Sequence, residues 1–464
     1  MSSPPSPSPT RWFKALRRTR IEDVCLKSGA AACAEVLKRA RAAFRAGRTA
    51  QDSFRLAQLE ALVRMLMEHE CDFVDALGRD LHKPRFETVM SELMTVKSEA
   101  LHTISNLKKW MEVQRIERSW ATAFDECLVV NEPLGVVLII GNWTSPLQLC
   151  LVPLVGAIAA AAHEIPEMID LKFDHVFFFG DKENGIKVAQ AAARTLARVT
   201  LVLSGKNPCY VDSQCDINTT ARRITWARFH NAGQSAVAPD YILCHVDAKD
   251  NLLQALRCAL LQFYGTDPRE SRSFGRMVNE ETFNKAKDQL WRSGKVFVGG
   301  QVNDMERYIA PTVLTEVVES DPIMQQDVFG PILPILTVQD AEEAVAFINS
   351  REKPLCVYAY SSNDKAISKI MNETSSGSFC LNDSVLQSVM VGMPFGGVGA
   401  SGMGSYHGRY SFDAFSHKKS CLLRTTRIEC MAYLRYPPYE DRNLSLVSLA
   451  SSLNLRSQGW CTIL

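Results

Sequence analysis

Apolar residues recur at helical spacing from Ala34 to about Val113, as in Phe54, Leu56, Leu59, Leu62 and Leu66 and again in Leu93, Val96 and Leu101. This pattern predicts a lead-in of packing helices that carry no chemistry. The period then changes. Phe124 to Asn131 has β character, and Gly135 to Ile140 is a continuous apolar strand. The turn Gly141-Asn-Trp-Thr-Ser-Pro146 and an apolar helix from Leu147 to Ala162 follow. A strand apolar on both faces, then a turn, then a helix, is how a parallel sheet opens. Further on, the pattern predicts a strand at His175–Phe179, an alanine-rich helix at Ile186–Leu196, a helix at Thr220–Phe229 and a strand at Tyr241–Val246. Only residues 163 to 174 separate the apolar helix from the His175 strand, too few for the repeats of a doubly wound sheet.

Composition narrows the class. With 464 residues, 46% of them hydrophobic, the chain can bury large cores and form about two or three domains. Its 52 basic and 51 acidic residues leave a net charge of +1, which removes the electrostatic case for nucleic acid as a partner. Fourteen cysteines show no CxxC pair and no zinc-ligand spacing, and no secretory signal opens the chain. We therefore expect a reducing, cytoplasmic setting and no metal. The apolar run Leu147–Ala162 is interrupted by Gln148, Pro153 and Gly156 and is too short to span a bilayer. Met1 to Thr10 is Ser/Pro-rich and expected to be disordered. The basic stretch Arg11–Arg20, with Trp12, Phe13 and Leu16, reads as a solvated extension in preference to a membrane-surface helix.

The small-residue run His230-Asn-Ala-Gly-Gln-Ser-Ala-Val-Ala-Pro-Asp-Tyr241 is the most informative stretch. It resembles the nucleophile loop of the aldehyde dehydrogenase superfamily, where a cysteine follows Gln-Ser or Gln-Thr. The same order of motifs continues in Glu132–Ile140 with Trp143 and Pro146, in Thr200–Val211, in Arg307–Leu314, in Gln326–Ile332 and in Pro394–Gly402. Together the matches cover about residues 38 to 437. Leu81-His-Lys83, Phe412-Asp-Ala-Phe-Ser-His417 and Tyr436-Pro-Pro-Tyr439 are similar to family 3, its lipid-anchored B-type members in particular.

The resemblance implies an α/β fold of three parts: a Rossmann-like coenzyme domain, truncated internally, an α/β catalytic domain, and a β-arm for oligomerisation. Expected boundaries are an extension at 1–33, a helical lead-in with the NAD(P)-binding-like domain at 34–205, and the catalytic domain at 206–383. A return to the coenzyme domain with the arm follows at 384–437, and a tail at 438–464. The arm is expected to draw on strands near 122–131 and 420–437. The implied reaction is oxidation of medium- to long-chain aliphatic aldehydes with NAD or NADP by a homodimer: thiolate attack, hydride transfer, then attack by a water that a glutamate activates. In this chain the nucleophile position is Ala236, the general-base position Val202 and the oxyanion-donor position Thr144. A methyl group forms no thiohemiacetal, valine accepts no proton, and a short hydroxyl replaces an amide donor poorly.

The cofactor positions that the resemblance implies are Gly180, Gly185, Asp327 and Phe329. Asp181 and Glu183 place carboxylates where a diphosphate would approach, Ser204 stands for a glycine, and Asp327 is one methylene shorter than the family's glutamate. The short interval implies the loss of on the order of forty residues, a βαβ taking about thirty, and with them the Lys-Pro-Ser-Glu segment that holds the adenosine ribose. Of possible substitute nucleophiles, Ser235 is a hydroxyl with no neighbouring base in the sequence, its side chain expected to point away from that of residue 236. Cys209 and Cys244 read as core residues. The chain ends Cys461-Thr-Ile-Leu464, a C-a-a-X box that favours geranylgeranylation of Cys461 and a peripheral position on the cytosolic face of a membrane. The expectation is a family 3 aldehyde dehydrogenase by descent whose activity is lost or impaired. The alternatives are a non-catalytic anchored dimer partner or binding scaffold, or a decayed copy that folds poorly.

Overall fold

The computed structural model describes residues 30–118, 122, 125–161, 163–164, 172–426 and 433–448. The Ser/Pro-rich and basic stretch, residues 165–171 of the short interval and residues 449–464 of the tail, with Cys461, lie outside them. Two compact units are present, Met1–Ser105 with Leu134–Phe415, and Asn106–Pro133 with Ser416–Leu464.

The second unit contains a three-stranded antiparallel sheet of β1 (Gln114–Arg115), β2 (Glu126–Pro133) and β17 (Ser416–Leu423), with β2 in the middle. β2 and β17 pair in register from Glu126–Leu423 to Pro133–Ser416. Arg424 closes the open end of this ribbon on Asp125, whose two oxygens accept from its guanidinium at 2.6 to 3.1 Å.

The first unit carries two parallel sheets. One has the order β16-β6-β5-β3-β4, made of β3 (Val136–Ile140), β4 (His163–Glu164), β5 (His175–Gly180), β6 (Arg198–Leu203) and, antiparallel at one edge, β16 (Gly402–Met403). β3 forms because five apolar residues in a row can only be satisfied where both faces are covered. Val136, Val137 and Leu138 are fully buried, with Leu37 and Ala40 of the helix Ala30–Arg45 in the same core. Beyond β3 the sheet continues, among the described residues, as the two residue pairs Val136–His163 and Val137–Glu164. The helix Pro146–Ala159 returns from β3 with a proline in its first turn, and its Leu147 N–H is met by Glu92 Oε2 at 2.9 Å while Lys83 pairs with the other oxygen. Gly156 is needed in that helix, because a Cβ there would lie 2.5 Å from Ser411 Cβ.

The other sheet has seven strands in the order β15-β14-β7-β8-β13-β12-β9. These are β7 (Pro208–Val211), β8 (Tyr241–His245), β9 (Lys295–Val298), β12 (Thr312–Thr315), β13 (Ile332–Val338), β14 (Cys356–Tyr360) and β15 (Ser378–Leu381). Only β9 runs antiparallel. A small ribbon of β10 (Val302–Asn303) and β11 (Tyr308–Ile309) hangs beside it. Chain connectivity makes the arrangement functional: the helix Ile217–Phe229 delivers residues 230–240 to the start of β8.

His175, at the start of β5, is 2% exposed, and neither ring nitrogen has a hydrogen-bond partner among the described residues. Its ring meets that of Phe415 edge-on at 5.0 Å. Burial, helped by the charge of Arg198, pushes the imidazolium down to about 3 from its ordinary 6.5. A folded value below the unfolded one means stability that is fully present above pH 6.5 and lost as pH falls from there toward 3. His175→Phe keeps the ring contact and removes the titration. We expect the wild-type urea midpoint to fall more between pH 7 and pH 4 than that of the variant; equal losses would show that His175 does not contribute.

Candidate functional site

Residues 230–236 form a strained loop held from several sides. Asn231, Ala232 and Gly233 have φ of 52°, 54° and 75°, three left-handed residues in succession, of which only glycine is at ease. Such backbone persists where its surroundings over-determine it. Asn231 N–H donates to Glu87 Oε2 at 3.0 Å, and its side-chain amide donates to the carbonyls of Thr144 and Gln234 at 2.9 and 3.0 Å. Gln234 donates to the carbonyls of Asn231 and Arg276 and accepts from Val278 N–H. Gly233 sits so close to Gly330 that a Cβ would lie 2.2 Å from its carbonyl oxygen.

This loop borders a cavity of about 50 Å³, room for one or two water molecules. Ala236 and Thr144, the nucleophile and oxyanion positions of the sequence reading, both line it. The structure therefore brings these two together. Val202 is elsewhere: it is fully buried in β6, in register with Phe179 and Gly402, and it is Phe179 that reaches the cavity wall. Among the described residues no sulfur lines this space. Cys209 and Cys244 are fully buried in β7 and β8, and burial pushes the Cys244 thiol up to about 12. Ser235 lines the same cavity as Ala236, although the sequence reading places its side chain away from that of residue 236.

Next to Phe179 in the chain, Gly180 ends β5, and Gly185 lies in the first turns of the helix Lys182–Ala193. A Cβ on Gly185 would strike Leu203 at 2.5 Å, so this glycine serves helix-to-sheet packing. Asp181 is the N-cap of that helix. Its carboxylate accepts from Asn184 N–H at 2.9 Å and from the Asn184 side chain at 2.8 Å. Those contacts outweigh the effect of partial burial and hold its pKa below the usual value. Asp327 is likewise engaged, its Oδ2 accepting from the Ser204 hydroxyl at 2.7 Å. Phe329 stands two residues on with φ of 35°. Among the described residues no group of three or more His, Cys, Asp or Glu could hold a metal ion, and no helix is long and apolar enough to cross a membrane.

Two features were not found from the sequence. Asn207, fully buried, donates to the carbonyls of Ala236 and Ala238 at 2.8 and 3.0 Å and accepts from Cys356 N–H at 2.9 Å. It fastens the loop to β7 and β14. The Lys-Asn-Pro motif carrying it was visible, but nothing local says where its amide points. The second is a buried His230 and Glu87 pair, with Nδ1 3.4 Å from Oε1.

Two mainly parallel sheets, one of them Rossmann-like, and a strained loop bordering a small cavity beside its residue 236 make an α/β scaffold of the dehydrogenase class. The family model described as aldehyde dehydrogenase family matches residues 17–165 and 168–421, and the chain belongs to that family. It is 43% identical to aldehyde dehydrogenase family 3 member B1 of Homo sapiens, over 93% of this chain and 99% of that protein. It is 42% identical to a Canis lupus familiaris protein named aldehyde dehydrogenase, dimeric NADP-preferring, over 87% of this chain and 97% of that one. Among solved structures, a substrate-bound state of Staphylococcus aureus AldH superposes with a TM-score of 0.85 at 36% identity, covering 88% of this chain and 97% of that one.

Proposed function

We propose that this chain is a family 3 aldehyde dehydrogenase that has lost NAD(P)-dependent aldehyde oxidation and persists as a member that is non-catalytic for that reaction. The observation that carries this reading is the methyl group of Ala236 in a cavity lined by no sulfur. Without a thiolate there is no thiohemiacetal from which hydride could leave. Val202, buried and turned into the sheet pairing of β6, adds that no carboxylate stands ready to activate a water from that position.

The residues present do not fit a dinucleotide. At the N-terminus of the helix Lys182–Ala193 the Asn184 N–H already donates to Asp181, whose negative charge repels a diphosphate. Asp327, which would take ribose hydroxyls, accepts from Ser204. Among the described residues, the outer side of β3 carries the two residues of β4 where a doubly wound sheet would continue. In favour of an internal loss, the alignment to the human relative runs over 468 positions but uses only 93% of this chain, and the family match breaks between residues 165 and 168. The relative named as dimeric supports a homodimer for this chain as well, and the names of the relatives support aldehydes as the ancestral substrates.

Thermal unfolding with and without saturating NAD or NADP tests the reading. A ligand at a hundred times its Kd stabilises by about 2.7 kcal/mol. We expect a single sharp transition that neither nucleotide moves, the signature of a folded chain without the site. A clear upward shift with either one would contradict it, and a broad transition with aggregation would favour a chain that folds poorly.

A further inference from the structure

A second cavity, of about 230 Å³, lies at the other end of the seven-stranded sheet. It opens beyond the carboxyl ends of β7 and β14, where Cys215, Asp216, Tyr360 and Ser361 line it. The loop of residues 230–240 precedes β8 and so stands at the amino ends of the same parallel strands. At about 3.3 Å per residue, β7 and its flanking turns put roughly 15 Å between the two spaces. Connectivity explains the opening. From β7 the chain crosses through the helix Ile217–Phe229 to β8, and from β14 through the helix Asp364–Glu373 to β15. Because the sheet order is β15-β14-β7-β8, the two crossovers leave in opposite directions. The crevice outside the carboxyl ends at such a point is where open α/β sheets take ligands.

The floor of the crevice is fixed by bonds between its two turns. Asp212 N–H donates to the Tyr360 carbonyl at 2.9 Å, and the N–H and hydroxyl of Ser362 both donate to the Gln214 carbonyl at 2.7 Å. The buried Ser361 hydroxyl donates to Asp212 at 2.5 Å, and the Asn382 side-chain amide pairs with both backbone groups of Ser361 at 3.0 Å. One wall is a stripe of the helix Ile217–Phe229: its N-cap Asp216 with Thr219, Thr220 and Arg223 stands at i, i+3, i+4 and i+7, a single face. This stripe carries one charge of each sign. Asp216 accepts from Thr219 N–H at 3.2 Å and from its hydroxyl at 2.6 Å, and a carboxylate with about four lone-pair sites keeps room for another donor. Arg223 gives Nη1 to the Asn382 carbonyl, and its other N–H groups make no hydrogen bond among the described residues. It acts on Asp216 as a nearby charge and not as a bonded partner.

We propose that this crevice binds a short ω-amino acid, its ammonium on Asp216 and its carboxylate on Arg223. A simple anion would meet the Asp216 charge and a simple cation that of Arg223, so a ligand carrying both signs is the one the wall favours. Spacing selects the ω form: seven helical residues rise about 10 Å, which separates the two charges further than the adjacent groups of an α-amino acid can bridge. The methylenes between them lie over Cys215 and the ring of Tyr360, whose hydroxyl is already held by Ser384 Oγ at 2.8 Å. Size agrees. At about 30 Å³ per liquid water the cavity holds about seven or eight waters, or a solute of about as many non-hydrogen atoms, the size of 5-aminopentanoate. This inference goes beyond the loss of aldehyde oxidation and does not rest on it, since the crevice shares no residue with the cavity beside Ala236.

The test is saturation-transfer NMR on the full purified chain at low salt, titrated separately with 5-aminopentanoate, its isomer norvaline, pentanoate and pentylamine. We expect saturable binding of 5-aminopentanoate with a Kd of about 1 mM, and binding at least about tenfold weaker for the other three. Asp216→Asn keeps a residue that caps a helix equally well and removes only the charge. It should leave Tm unchanged and bring pentanoate to the level of 5-aminopentanoate. Arg223→Gln should do the same for pentylamine. An exchange of ligand preference is a result that a merely structural role for either residue would not give. No binding of 5-aminopentanoate by the folded wild-type chain, equal binding of norvaline or of a singly charged analogue, or a preference unchanged in both variants would each overturn the proposal.

Discussion

Arg228→Ala is expected to lower the unfolding free energy by about 3–5 kcal/mol, the cost of leaving one partner of a buried ion pair alone. Arg228 ends the helix that leads into the loop and is fully buried. Its guanidinium donates to the Pro239 carbonyl at 3.1 Å, to Asp240 Oδ1 at 3.2 Å and to the Gly330 carbonyl. One side chain thus ties both ends of residues 228–240 to the segment before β13. Removing it leaves Asp240 without its bonded cation and with Lys206 as the remaining nearby positive charge, its other oxygen still accepting from Asn207 N–H. The measurement is urea unfolding, with the midpoint falling at constant slope. Arg228→Met combined with Asp240→Asn should recover much of the loss, because it removes both charges together. If the double variant is no better than the single one, the penalty lies in the carbonyl contacts and not in the charge left behind.

Gly233→Ala is expected to cost at least about 3 kcal/mol, combining left-handed backbone with overpacking. The φ of 75° alone disfavours any side chain. The larger obstacle is backbone: the new methyl would lie 2.2 Å from the Gly330 carbonyl oxygen and 2.9 Å from Pro331 Cα, neither of which is the movable end of a side chain. Gly47→Ala separates the two causes, since Gly47 has φ of 70° with nothing within 4 Å of the added carbon. It should cost only about 1 kcal/mol. Equal losses in thermal unfolding would mean that the close approach at Gly330 is relieved without effort.

These two residues show what the sequence could and could not reveal. The glycine in the loop, the strand before Trp143 and the helix before His230 all leave local traces: a small residue, an unbroken apolar run, a 3.6-residue period. Ala236, Val202 and Thr144 were identified from their places in motifs, and the structure brings Ala236 and Thr144 to one cavity while it seats Val202 inside the sheet. What escaped was set by distance along the chain. Glu87 meets His230 and Asn231 across more than a hundred residues, and Ser204 meets Asp327 across a similar span. No periodicity encodes such pairs, because each partner taken alone is an ordinary polar residue. The edge strand Gly402–Met403, added antiparallel to β6, was hidden for a related reason: two residues of glycine and methionine carry no strand signal.

The loop's tolerance for strain has a functional corollary. A backbone held in three successive left-handed residues by Asn231, Gln234, Gly330 and Asn207 fixes where residues 235 and 236 stand, whatever their side chains are. On the reading proposed above, the scaffold around residue 236 is kept while aldehyde oxidation is lost, which is why that loss is tested on the folded chain.

The most direct test of that loss is the absorbance of reduced nucleotide formed by the purified wild-type chain with an aliphatic aldehyde and NAD or NADP. The account predicts no rise above the enzyme-free rate, and none in Ala236→Cys alone, since the returned thiol still lacks a bound hydride acceptor. Aldehyde-dependent formation of NADH or NADPH by the wild-type chain would contradict it.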